Sequence, residues 1–239
     1  MVVPDVTICL PTYNERDNVE QMLRALAPLG VRVLVIDDSS PDGTGEIADR
    51  VAAELDGVSV LHRDRKEGLG PAYIAGFRRA LAEGAEYVIS MDCDFSHDPA
   101  DVPRLIAACD GGADVAIGSR YVPGGGTVNW GIGRRIVSAG GSFYARTLLG
   151  LHIRDMTGGF RCFRRSVLET VGLDTIATKG YAFQIELTYR ALRRGFTVAE
   201  VPIVFTDRTA GQSKMSRAIF LEAVRKVPAL RVRALTGKL

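Results

Sequence analysis

The apolar positions in the first 120 residues follow two rhythms. Short, mostly apolar runs occur at residues 6–10, 31–37, 58–62, 87–91 and 115–118. Runs of that length predict strands, and 31–37 reads as one buried in a parallel sheet. Between them apolar residues recur at helical spacing. Residues 15–29 carry Val19, Met22, Leu23 and Leu26, with Asn14 or Thr12 as a candidate cap. Further helices are predicted from the loop 39–43 to Leu55, over 69–83 with Gly84 as stop, and over 99–109. Strands alternating with helices of this length indicate βαβ units, and hence an α/β fold with a Rossmann-like, mostly parallel central sheet flanked by helices. Such sheets bind ligands beyond the carboxyl ends of their strands, which singles out the loops 11–15, 37–43 and 92–98.

The second half is less regular. Residues 123–126 read as a flexible Gly-rich loop, and 133–149 as a helix with arginines on one side and apolar residues on the other. Residues 187–194 read as the end of another helix, and 198–205 as a weakly alternating strand. Residues 216–235 form a basic amphipathic segment interrupted by Pro228. The expected organisation is a catalytic domain over 1–213 followed by a basic amphipathic helix in 214–239.

Charge changes the picture. Over all 239 residues the formal net charge is +2. Residues 1–119 nevertheless hold 10 Lys and Arg against 21 Asp and Glu, while 120–239 hold 20 against 7. An acidic half is joined to a basic one, and the basic half is suited to an anionic partner: a nucleic acid, a membrane surface or a phosphate. The four cysteines form no CxxC pair, which argues against a zinc site; nothing in their placement points to an oxidising compartment, so a cytoplasmic protein is expected. No apolar stretch is long enough to span a bilayer, and the N-terminus has no secretory pattern, so membrane contact is expected to be peripheral.

The candidate chemistry sits where the sheet rule points. Asp92-Cys93-Asp94 follows the fourth predicted strand directly. Carboxylates two residues apart on extended chain face the same way, and hard oxygen ligands suit Mg²⁺ or Mn²⁺ carried with substrate phosphates. A solvated acidic loop is the alternative. Ser96 can add a ligand, and His97 is either a ligand or an ordinary loop residue. Asp37-Asp38 ends the second strand, where a carboxylate accepts hydrogen bonds from a base or ribose, unless the pair serves only the helix start beside it. No GxGxxG follows the first strand and no P-loop lysine motif occurs, which argues against dinucleotide enzymes and ATPases. Arg120 follows the fifth strand. Arg208 and Lys214 lie in one Gly-containing loop that can fold over a diphosphate, or simply carry surface charge.

In order along the chain, three segments resemble the family 2 glycosyltransferases of the GT-A fold: Leu10-Pro11-Thr12-Tyr13-Asn14-Glu15, Ile36-Asp37-Asp38-Ser39-Ser40-Pro41-Asp42-Gly43-Thr44 and Met91-Asp92-Cys93-Asp94-Phe95-Ser96-His97-Asp98-Pro99. Gly118-Ser119-Arg120-Tyr121, Asp155-Met156-Thr157-Gly158-Gly159-Phe160-Arg161, Lys179-Gly180-Tyr181-Ala182-Phe183-Gln184 and the stretch from Val201 to Lys214 narrow the resemblance to dolichol- or polyprenol-phosphate mannose synthases. The resemblance implies inverting transfer of mannose from GDP-mannose to a polyprenyl monophosphate, with Mg²⁺ or Mn²⁺ as cofactor. It implies that Pro11, Tyr13, Glu15, Ile36 and Asp38 line the guanosine pocket. Asp92, the Cys93 backbone and Asp94 would hold the diphosphate and metal, with Ser96 as a weaker ligand. Arg120, Arg208 and Lys214 would neutralise the two phosphate groups, with Arg134 or Arg135 assisting at the acceptor. Asp94, Arg120, Arg208 and Lys214 form the expected catalytic set. Glucose transfer from UDP-glucose is the alternative within the same chemistry. A nucleic-acid-binding module is disfavoured because no RRM, KH or zinc-finger signature accompanies the basic half. Lys214, Arg217, Arg225, Lys226, Arg231, Arg233 and Lys238, with Ile219, Phe220, Leu221, Val224, Val227 and Leu230, read as an interfacial helix or as a packed helix with a solvated basic face. A separate integral membrane protein is a further expected partner, as in relatives without spans of their own.

Overall fold

The fold is that of a computed structural model, in which residues 5–176, 178, 180–207, 217–237 and 239 are described; of residues 181 and 217–223 only the backbone is. The predicted strands form as β1 (Val6–Thr12), β2 (Arg32–Asp37), β3 (Val58–His62), β4 (Tyr87–Ser90) and β5 (Val115–Ser119). The helices between them are α1 (Val19–Leu26), α2 (Thr44–Glu54), α3 (Leu69–Ala82) and α4 (Val102–Asp110). The second half adds β6 (Gly126–Val128), α5 (Ile132–Leu149), β7 (Arg161–Arg164), α6 (Arg165–Thr170), α7 (Tyr181–Arg193), β8 (Val198–Pro202), β9 (Val204–Thr206) and α8 (Arg217–Leu235).

Seven strands form one sheet in the order β3-β2-β1-β4-β7-β5-β8, and β6 pairs with β9 in a small second sheet. All pairs in the large sheet are parallel except those of β7, which runs antiparallel to β4 and β5. Both faces are covered. Ile8 and Leu10 of β1 and Val33 and Val35 of β2 pack with α1, α2 and α4, whereas Cys9, Leu34 and Ile36 face the layer built by α3, α5, α7 and α8. That period-2 sorting into two cores is what a parallel sheet with helices on both sides requires. All four cysteines are buried free thiols. Among the described residues no helix is long and apolar enough to cross a membrane.

The structure corrects several expectations. The first helix starts at Val19, not at residue 15, and gives way to a 3₁₀ turn at Ala27–Leu29 that contains Pro28. Neither Thr12 nor Asn14 caps it: Thr12 belongs to β1 and Asn14 takes a left-handed φ of 55°. β7 was not expected, because Cys162 and Phe163 are its whole apolar content between Arg161 and Arg164. The predicted strand 198–205 is broken at Ile203, just after Pro202. Proline is tolerated there because β8 is an edge strand, and the chain then crosses to pair with β6.

β7 matters for function. Because it runs antiparallel, the loop that precedes it (155–160) emerges at the same sheet edge as the loops that follow β4 and β5.

Candidate active site

The nucleoside side is built from the ends of β1, β2 and β3. Thr12 Oγ1 donates to Asp37 Oδ1 at 3.0 Å, and Ser40 donates to the same carboxylate through N (3.0 Å) and Oγ (2.6 Å). Asp37 is therefore spent on shaping the loop that follows β2. The backbone N–H of Asn14, Glu15 and Arg16 donates to Ser40, Thr44 and Asp42 respectively, which laces the β1 loop to the β2 loop. Glu15 is buried and accepts from Asn18 Nδ2 at 2.9 Å.

Asp38 pairs with Arg63 at 2.5 Å, and Arg63 also holds Glu67 at 2.7 Å. Burial pushes the Asp38 carboxyl above its ordinary pKa against the pull of Arg63. His62, Arg63, Asp64, Arg65 and Glu67 line a recess of about 430 Å³, and Lys66 Nζ stands 3.7 Å above the Tyr13 ring. Residues 62–67 were missed by the sequence reading. Their signal was available: a charged run directly beyond the carboxyl end of a parallel strand. Ile36 does not line this pocket with its side chain. It is fully buried in the α3 layer, so close that a Cβ on Gly76 would lie 2.8 Å from it. Alternation along β2 turns Ile36 inward, to the face opposite Val35.

Beyond β4, Asp92, Asp94, Ser96 and His97 gather. The Asp92 N–H donates to His97 Nδ1 at 3.2 Å, Tyr73 Oη donates to Asp92 Oδ1 at 3.4 Å, and the Ser96 N–H donates to Asp94 Oδ1 at 3.1 Å. His97 is buried and stacks on Phe160 at 5.0 Å; burial holds its pKa below the usual value. With Nδ1 accepting, the neutral ring carries its proton on Nε2. The Cys93 side chain packs in the core, leaving its backbone at the site. Gly159 lies beside Asp92: a Cβ there would be in ordinary contact, 3.6 Å from both carboxylate oxygens. Ser96 Oγ is buried with no hydrogen-bond partner. Two carboxylates and an orphaned hydroxyl form a hard-oxygen donor set that fits Mg²⁺ or Mn²⁺. Among the described residues no three His, Cys, Asp or Glu side chains are placed to hold a metal ion by themselves, so such a cation needs substrate oxygens to complete its shell.

Beyond β5, Arg120 is buried against Asp155: Nε to Oδ2 at 2.7 Å, Nη2 to Oδ1 at 2.6 Å, and the backbone N–H to Oδ2 at 3.0 Å. Arg120 Nη2 also donates to Thr157 Oγ1 at 3.0 Å. Burial, the largest single influence, would raise the Asp155 pKa, but the charge and hydrogen bonds of Arg120, together with the Arg161 charge, outweigh it and hold the carboxyl below its ordinary value. Glu200 steadies the same loop by accepting from Asp155 N–H at 2.9 Å and Arg154 N–H at 2.8 Å. Arg161, buried, ties it down further by donating to the carbonyls of Met156, Gly158 and Gln184, and burial pushes its pKa down to about 10. Asp155, Glu200 and Arg161 were not read as site residues; Asp155 meets Arg120 and Glu200 across 35 and 45 residues, too far along the chain to be inferred from spacing.

Trp130, Tyr121 and Phe205 surround the Arg120 guanidinium at 5.2–5.5 Å. Arg134 stands 4.3 Å over Trp130 and pairs with Asp207 at 2.5 Å. The structure brings Arg134 to this cluster and leaves Arg135 exposed, donating to the Thr127 carbonyl at 3.1 Å. Arg208, Lys214 and Lys179 lie outside the described residues.

The family model described as Glycosyl transferase family 2 matches residues 7–172. A protein of Mycolicibacterium smegmatis named polyprenol monophosphomannose synthase is 50% identical over 92% of this chain and 84% of its own. One of Micrococcus luteus named undecaprenyl-phosphate mannosyltransferase is 49% identical over 92% of this chain and 90% of its own. Among solved structures, glucosyl-3-phosphoglycerate synthase of Mycobacterium tuberculosis, in complex with Mn²⁺, UDP and glucosyl-3-phosphoglycerate, matches with a TM-score of 0.66. It covers 98% of this chain and 80% of its own at 20% identity, a likeness of fold. A Pyrobaculum calidifontis mannosyltransferase in complex with GDP-mannose and Mn²⁺ matches with a TM-score of 0.57 at 16% identity, covering 99% of this chain and 77% of its own. With a family match across most of its length and two relatives about half identical to it, the chain belongs to glycosyl transferase family 2, whose GT-A architecture it has.

Proposed function

We propose that this chain is an inverting transferase that moves mannose from GDP-mannose to a polyprenyl monophosphate, giving a lipid-linked mannose donor. The observation that carries the reading is the meeting of two chemistries at one sheet edge. Asp92, Asp94 and Ser96 offer hard oxygens beyond β4. Arg120 and Arg134 stand beyond β5, and the 155–160 loop runs between the two groups. The names of the two relatives support mannose and a polyprenyl phosphate.

The reaction breaks the bond between mannose C1 and the GDP β-phosphate oxygen, and the electron pair leaves with GDP. An acceptor phosphate oxygen attacks C1 from the opposite face and forms the new C–O bond. A phosphate monoester has its second pKa near 6, so the nucleophile arrives ionised and no side chain must remove a proton. His97, buried with Nδ1 committed to the Asp92 N–H, is suited to positioning rather than to base catalysis. A divalent cation held by Asp92, Asp94 and Ser96 would take up the charge that develops on departing GDP. The nucleoside would lie against Pro11, Tyr13, Glu15 and Asp38, and Arg63 and Lys66 join that wall. Arg120 and Arg134 would hold the two mutually repelling phosphates within reach, assisted by Arg208 and Lys214. In this reading residues 1–213 are the catalytic unit of a peripheral enzyme on the cytoplasmic face of a membrane.

The test is a donor panel. Purified protein, vesicles containing undecaprenyl phosphate, and radiolabelled GDP-mannose or UDP-glucose are incubated with Mg²⁺ or Mn²⁺, and label is extracted into organic solvent. Mannose-dependent, chelator-sensitive label is expected. Equal or faster transfer from UDP-glucose, or none from GDP-mannose, would overturn the proposal.

A further inference from the structure

Helix α5 is turned inside out for a helix of a water-soluble surface. At about 100° per residue, Ser138, Ser142, Ala145 and Leu149 share one side, and the last three are buried. The opposite side, an arc of roughly 140°, carries Ile132, Ile136, Val137, Phe143 and Tyr144. They are 76%, 66%, 43%, 58% and 37% exposed. The remaining positions in that arc are Gly133, Gly140 and Thr147, so it holds no charge. Arg135 and Arg146 run along one of its edges.

The patch is not scatter. Among the described residues, the other large apolar side chains left exposed are Val224, Val232 and Leu235 on α8 and Val128 and Val204 on the β6–β9 sheet. Both elements adjoin α5. Tyr144 Oη donates to the Val224 carbonyl at 3.1 Å, and Arg135 reaches Thr127 of β6. None of the exposed large apolar residues lies on α1–α4. Arg225 and Lys226 on α8 are exposed beside the patch, whereas Val227 and Leu230 are buried beneath it and belong to the core.

The buried side of α5 is fastened to the candidate active site. Tyr121 Oη donates to Ser138 Oγ at 2.8 Å, Ser142 Oγ lies 3.3 Å from Thr157 Oγ1, and that hydroxyl also accepts from Arg120. A surface seated on the outer side of α5 is therefore about one helix diameter, roughly 10 Å, from the arginine cluster.

We propose that the exposed arc of α5, rather than the basic C-terminal helix alone, is the surface that seats this enzyme on an anionic lipid bilayer. This rests on the reading of the acceptor as a polyprenyl phosphate, whose tail is buried in lipid and whose phosphate lies at headgroup level. An uncharged apolar arc with cations on its rim is the pattern of a helix lying in the bilayer interface, its apolar side sunk to the acyl boundary and its arginines among the headgroups. Fixed there, α5 holds Arg120 and Arg134 at headgroup depth, so the acceptor phosphate need not leave the interface to be reached.

The test pairs binding with activity. Wild type and the Ile136→Asp/Phe143→Asp double variant are sedimented with vesicles of phosphatidylglycerol and phosphatidylcholine, and assayed with undecaprenyl phosphate in those vesicles and with water-soluble citronellyl phosphate. Light scattering measures the oligomeric state. Expected are a monomeric wild type that sediments with the vesicles and a variant that loses at least tenfold in binding and in vesicle activity. The variant should keep its melting temperature and its rate on citronellyl phosphate. Equal binding by the variant would overturn the proposal. So would a wild-type dimer that dissociates on substitution, which assigns the arc to a second copy, or binding only to vesicles that also carry an integral membrane protein. Lipid binding that behaves as expected, with no mannose transfer to either acceptor, would leave the docking surface standing and overturn the function instead.

Discussion

The two sides of the site are fixed by different means. On the nucleoside side, Asp37 and Asp42 are held by hydroxyls and backbone N–H groups: Thr12 and Ser40 for the first, Thr44 and Arg16 for the second. On the phosphate side, arginines are held by carboxylates: Arg120 by Asp155 and Arg134 by Asp207. On the acidic side Asp37 and Asp42 are spent on loop geometry, while Asp38 keeps an ion pair with Arg63. The basic side is a set of buried or half-buried ion pairs inside a ring of aromatic residues. The charge imbalance between the halves of the chain is thus no measure of the charge of the site. Asp155 offsets much of what Arg120 brings, leaving an oriented donor array more than a bare positive charge.

That contrast is sharpened by substitutions whose effects differ in size and in kind. Asp94→Ala should act hardest, lowering the initial rate with GDP-mannose and Mg²⁺ by at least 10²-fold, since it removes one of two carboxylates aimed at the leaving diphosphate. Asp155→Asn should act on stability. It leaves a buried guanidinium without its counter-charge, a cost of about 3 kcal/mol, read as a fall in melting temperature of roughly 10 °C. The Asp155 pKa is lower in the folded than in the unfolded state, so the stabilisation is complete above the ordinary carboxylate value of about 4 and is lost as pH falls through the folded value. The gap in melting temperature between wild type and variant should accordingly narrow below pH 4; a gap that stays constant to pH 3 would contradict the assignment. Arg63→Ala should act on donor binding alone, raising KM for GDP-mannose by about tenfold at unchanged kcat, the signature of uniform binding. Tyr73→Phe should do least. It deletes a long 3.4 Å hydrogen bond to Asp92 and should lower kcat by only about twofold to fivefold, with no loss of packing between Tyr73, Phe77 and Phe183.

The sequence pattern made the first half largely legible because each strand there is a short, mostly apolar run and each helix an amphipathic one. β1 to β5 and the loops beyond them stand where periodicity places them. The second half resisted for identifiable reasons. β7 hides between two arginines, one of them, Arg161, wholly buried and satisfied by carbonyls rather than by a carboxylate. The break at Ile203 follows from the edge position of β8, which local sequence does not encode. At the site, the Asp92–Asp94 pair and Arg120 were legible as residues but not as pairings. Arg120 meets Asp155 across 35 residues and Asp38 meets Arg63 across 25, distances over which spacing carries no information. Ile36 went the other way: its motif was readable, yet strand alternation turns its side chain into the core.

The division of labour is tested most directly by two-substrate initial-rate kinetics on Arg134→Ala, with GDP-mannose and undecaprenyl phosphate varied independently. Arg134 stands on the arginine side, over Trp130 and away from the recess at residues 62–67. The account predicts a rise of about tenfold or more in KM for the lipid phosphate with KM for GDP-mannose unchanged. A shift in the GDP-mannose KM with the lipid KM unmoved would contradict it.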